Sequence, residues 1–171
     1  MKKWDPDVEI IWRSFELRPE PVPTLDPNGE YIQRAWQQSV LPLAERLGVP
    51  MVLPPVQPRS RLAHEATHWA RSQGKGDEFH TRVFEAFYGR GEDIGDIEVL
   101  IGIAKGLGLE TEALRDSLGR HEFLESVLAD QTEAHDLGLG GVPAFVADRR
   151  AALSGVQSAD SLRKLVEHAR Q

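Results

Sequence analysis

Gly138-Leu139-Gly140-Gly141-Val142-Pro143-Ala144-Phe145-Val146-Ala147-Asp148-Arg149-Arg150-Ala151-Ala152-Leu153-Ser154 is where the periodicity of this chain changes. The glycines stop a helix, and residues 143–147 then have the composition of a strand. Asp148-Arg149-Arg150 reads as a tight turn and residues 151–154 as an antiparallel partner, which makes a hairpin. Just beyond, Ser158 or Asp160 can cap a terminal helix that carries Leu162, Leu165, Val166 and Ala169 on one face.

Upstream of the glycines the pattern is helical for a long way. Tyr31, Ile32, Trp36 and Val40 form a first apolar stripe, which Pro42 breaks or kinks before Gly48 closes it. Helices are predicted over residues 59–72, with Leu62, Thr67, Trp69 and Ala70, and after Asp77, with Phe79, Val83, Phe84 and Phe87 inward. Asp96 is the predicted cap of 97–106, Thr111 starts a short helix, and 121–137 makes the last of the set. At the other end, residues 8–15 are rich in β-branched and aromatic side chains with Val8, Ile10 and Trp12 on one face, which predicts a strand. The order is therefore strand, helical block, hairpin, helix.

At 171 residues the chain can bury a real core without disulfides or metals. A net charge of −7 is the wrong sign for phosphate neutralisation, so nucleic acid is not an expected partner. No apolar run reaches the length of a membrane span. Met1-Lys2-Lys3 is followed by Trp4-Asp5-Pro6 rather than by an apolar stretch, so a cytoplasmic location is expected. There is no cysteine, which removes thiolate nucleophiles, thiolate ligands and disulfides together.

Five pieces of the chain, in order, resemble the DsbA-like thioredoxin-fold oxidoreductases of the FrnE type, with kappa-class glutathione transferases and 2-hydroxychromene-2-carboxylate isomerases as relatives. They are Trp12-Arg13-Ser14-Phe15-Glu16-Leu17-Arg18-Pro19, Ala63-His64 through His68-Trp69-Ala70, Phe84 through Leu109, Gly138 through Val146, and Ser154-Gly155-Val156-Gln157. The resemblance implies an α/β thioredoxin-like fold with an inserted all-helical subdomain: one DsbA-like domain over 1–171, its thioredoxin parts at 7–17 and 138–171 and a mainly helical insertion at 30–137. It implies a cis peptide before Pro143, with Val142 and Pro143 as the wall that meets a thiol- or disulfide-containing protein or glutathione. The glycines before them imply a close approach to that wall.

Family members open with a strand and a helix whose turn carries Cys-x-x-Cys, or a serine in the isomerase relatives. Met1 to Pro6, ahead of the first strand-like segment, cannot supply that βα unit, so the sequence reads as a domain lacking it and inactive in thiol-disulfide exchange. No catalytic residue and no cofactor is expected, and unpaired strand edges predict self-association into homo-oligomers. A non-catalytic peptide- or glutathione-binding module is the alternative.

His64-Glu65-Ala66-Thr67-His68 also fits H-E-x-x-H, in which two histidines one helical turn apart bind zinc and the glutamate activates water. The histidines belong to the family-like stretch in their own right, and the available third ligands, His80, Glu85 and Glu92, are poorly placed. Packed helical histidines are therefore the expectation and a zinc hydrolase the competing one. His121 and His135 are expected on solvated faces.

Overall fold

The computed structural model describes residues 7–171. Met1 to Pro6, on which the expected location and the expected lack of a βα unit rest, lie outside them. The chain divides into two compact units, one of Arg18–Val127 and one that joins the residues up to Leu17 to Leu128–Gln171.

Arg18–Val127 holds helices and no strand among the described residues. Its first helical run has three parts: α1 (Glu30–Ala35), a π-helical turn (Trp36–Val40) and α2 (Leu41–Leu47), which ends at a left-handed Gly48 with φ 65°. Pro42 is the physical reason for the middle part. It has no N–H to donate, so the register upstream widens, and the Leu41 N–H reaches the Trp36 carbonyl. The predicted break is thus absorbed as a π turn.

The core of this unit is built by α3 (Arg61–Ser72), α4 (Gly76–Phe84), α5 (Ile97–Gly106) and α6 (Thr111–Gly119). Ala66, Ala70, Phe79, Leu100, Ala104 and Leu114 are fully buried in it. Asp96 caps α5 as expected, its side chain accepting from the Glu98 N–H. Two expectations change at α4. Lys75 is the N-cap residue and Asp77 lies in the first turn. A second π turn over Glu85–Gly89 rotates the helix face, so Phe84, predicted inward, is half exposed while Ala86 takes the buried place.

In the other unit, β1 (Ala144–Ala147) pairs antiparallel with β2 (Ala151–Ser154) in the register Ala144 to Ser154 through Ala147 to Ala151. Both strands pack on α8 (Ala159–Ala169), whose N-cap is Ser158, with Leu165 and Ala169 buried. The turn is closed by the Arg150 N–H on the Ala147 carbonyl, with Asp148 and Arg149 both left-handed at φ 49° and 57°. This primed geometry matches the twist of a hairpin but is normally given to Gly or Asn. Arg149→Gly is expected to raise stability by about 0.5–1 kcal/mol, the backbone relief outweighing an exposed ion pair to Glu133. A thermal melt should show a rise of roughly 1–3 °C.

Residues 8–15, predicted as a strand, form none; among the described residues the sheet consists of β1 and β2 alone. At the end of this segment the backbone N–H groups of Ser14 and Glu16 go instead to α7 (Leu124–Asp136). The buried Asp130 carboxylate accepts from the Ser14 N–H at 2.8 Å and from Arg13 Nη1 at 3.0 Å. Gln131 Oε1 accepts from the Glu16 N–H at 2.7 Å while its Nε2 donates back to the Glu16 carbonyl at 3.2 Å. Alternate residues of an extended chain present their N–H groups to the same side, so two successive helix side chains can catch Ser14 and Glu16.

Candidate functional site

α7 ends where the glycine run begins. Gly138, at φ 71°, closes the helix through the Gly138 N–H on the His135 carbonyl and the Leu139 N–H on that of Ala134. Gly140 and Gly141 then lead to Val142. A Cβ at either would meet nothing within 4 Å, so the expected close approach is not what keeps glycine there. The Val142–Pro143 peptide bond is cis. The Pro143 carbonyl accepts from the Gly155 N–H at 2.8 Å, which carries the hairpin pairing one step past Ala144. Val142 is 48% exposed, and its N–H and C=O have no partner among the described residues. The second edge of β1 is likewise unpaired among them.

The H-E-x-x-H residues sit in α3 of the helical unit. Glu65 is 1% exposed, and its Oε1 lies 3.1 Å from Nδ1 of His121. In this contact an ionised Glu65 accepts from an Nδ1–H of His121. His121 stands in the left-handed position after α6 at φ 51°, with its own N–H on the Leu118 carbonyl and that of Glu122 on Ser117. Its side chain is 55% exposed, so it lies on a solvated face as expected while one ring nitrogen reaches the buried Glu65. His135 is exposed, as expected, with its ring edge to face with Phe15 at 5.9 Å. His68 stacks on Phe123 at 6.5 Å. Among the described residues no three His, Asp or Glu side chains come together as a metal site.

Burial, and then the charge of His64, push the pKa of His80, on α4, down to about 4. The unfolded chain therefore takes up this proton first on acidification. Stability is full above about 6.5, the ordinary value, and falls as pH drops toward 4. Urea unfolding at pH 7.5 and 5.0 should show the loss, and His80→Gln should reduce the difference between the two.

Residues 1–167 match the family described as DSBA-like thioredoxin domain. The chain belongs to that family. The uncharacterized protein YwbO of Bacillus subtilis is 38% identical over 144 residues, which are 82% of this chain and 72% of that one. Among solved structures, a probable DsbA oxidoreductase of Streptomyces coelicolor superposes with a TM-score of 0.78 at 23% identity, covering 96% of this chain and 76% of its own. A 2-hydroxychromene-2-carboxylate isomerase superposes at 0.68 with 20% identity, over 86% and 70%. The fold is thus the thioredoxin-like α/β fold of the DSBA-like family, with most of its residues in helices. No helix among the described residues is long and apolar enough to cross a membrane.

Proposed function

We propose that these 171 residues form the ligand-holding part of a DsbA-like domain, with no thiol chemistry of their own. Val142 offers its exposed backbone to an extended thiol- or disulfide-containing peptide, or to glutathione, and Pro143 shapes the wall beside it. The observation that carries this reading is the Val142 backbone, unpartnered among the described residues, at the head of a β1 edge that is open among them, in a chain of the DSBA-like family. An extended ligand pairing there would be a β-strand addition. Exchange itself needs a thiolate, and the sequence has no cysteine. A thioredoxin part at 7–17 and 138–171, a helical insertion at 30–137, self-association through the open edge and a cytoplasmic location belong to the same reading. The zinc alternative gains no support from the engagement of Glu65 with His121.

Two measurements test it. In an insulin-reduction assay the chain should run at the uncatalysed rate. In an amide NMR titration with glutathione or a cysteine-containing peptide, saturable shifts should centre on Val142 and Ala144. Reductase activity above background, or an unmoved Val142 amide at millimolar ligand, would sink the proposal.

A further inference from the structure

The far end of the hairpin holds a second feature that the proposed peptide wall does not use. A groove of about 580 Å³ is lined by Asp148, Arg149, Arg150, Ala169 and Arg170, three of the five being arginines. In a chain of net charge −7 this is a local reversal of sign. The arginines come from two places, the turn between β1 and β2 and the end of α8.

Two of them are held in position. Arg149 pairs with Glu133, and Arg150 Nη1 donates to the Ala169 carbonyl at 3.1 Å. A guanidinium has more N–H donors than these single contacts use, so each side chain is tethered at one nitrogen and keeps donors for a ligand. Asp148 on the rim works against an anion and will favour one with several oxygens, able to engage more than one fork. The backbone points the same way. Asp148 and Arg149 occupy positive-φ positions that glycine would fill at lower cost, so their side chains are kept against a conformational penalty.

We propose that this groove is an anion site for the phosphoryl group of a soluble small molecule, read by Arg149 and Arg150 with Arg170 at the helix end. The proposal is independent of the peptide wall. Pyrophosphate is the probe, titrated into the labelled protein at constant ionic strength with sodium chloride as the matched control. Saturable shifts are expected at Asp148, Arg149, Arg150 and Arg170, with a Kd in the millimolar range or tighter. Arg149→Gln should weaken it several-fold, and Arg149→Gln with Arg170→Gln at least tenfold, while the amide spectrum elsewhere stays that of the folded protein. Arg149→Gly should lose affinity even as it gains thermal stability, a combination that a merely structural turn would not give. Chloride producing the same shifts, an unchanged Kd in the double variant, or no saturation would overturn it.

Discussion

Replacing Asp130 by alanine is expected to cost about 3 kcal/mol and to lower the melting temperature by roughly 6–10 °C. Asp130 is 4% exposed and accepts two hydrogen bonds at once, from the Ser14 N–H and from Arg13. Alanine withdraws the acceptor from a backbone N–H in a residue that is itself buried, and leaves a small void beside it. Asp130→Asn separates the effects. Its amide oxygen can still accept from Ser14, but its NH₂ cannot accept from Arg13, so about half of the loss is expected. Since Arg13 is 56% exposed, the ion pair is the smaller part. A loss below about 1 kcal/mol for Asp130→Ala would mean that residues 13–16 do not depend on α7 for their backbone bonds.

The second large effect is expected at His121. Alanine there retains the unfavourable φ of 51° and takes from the buried Glu65 carboxylate the partner on Oε1, while Oε2 has none among the described residues. Because His121 is itself 55% exposed, a destabilisation of about 1–2 kcal/mol should follow in urea unfolding at pH 7. Glu65→Met removes the buried charge and fills a similar volume, so it should lie within about 1 kcal/mol of the parent or be more stable. The decisive measurement is the double variant: with the carboxylate gone, His121→Ala should cost only a fraction of its single-variant value. Additive costs would show that the 3.1 Å contact carries no coupling.

What was legible in the sequence, and what was not, divides by the range of the interaction. The hairpin at 144–147 and 151–154, the Asp96 and Ser158 caps and the stop at Gly48 all follow from neighbours within a few residues, and composition reports these directly. The π turns did not show. Pro42 signals a disturbance, but whether it becomes a break, a kink or a wider turn depends on the carbonyls left behind. Residues 8–15 have the alternation of a strand, yet alternation does not say whether a partner strand exists. The N–H groups of Ser14 and Glu16 at its end find Asp130 and Gln131 more than a hundred positions away. His121 and Glu65, 56 residues apart, are the same case. The cis bond at Pro143 was legible through the family resemblance, whereas the arginines of the turn were read only as turn residues.

The Gln131 carboxamide is chemically a detached peptide unit, offering one carbonyl and one amide to Glu16 as a neighbouring strand would. A ladder, however, is built of identical rungs and can slide; a single rung on a side chain cannot. With Asp130 gripping Ser14 and Gln131 gripping Glu16, the segment is pinned at two alternate residues, so a one-residue shift, which turns their N–H groups to the other side, satisfies neither. A one-residue insertion at Phe15 would therefore have no alternative register to slip into and would have to bulge outward. Conversion of Gln131 to its acid, which changes no shape, would set a carboxylate against the Glu16 carbonyl and release the grip.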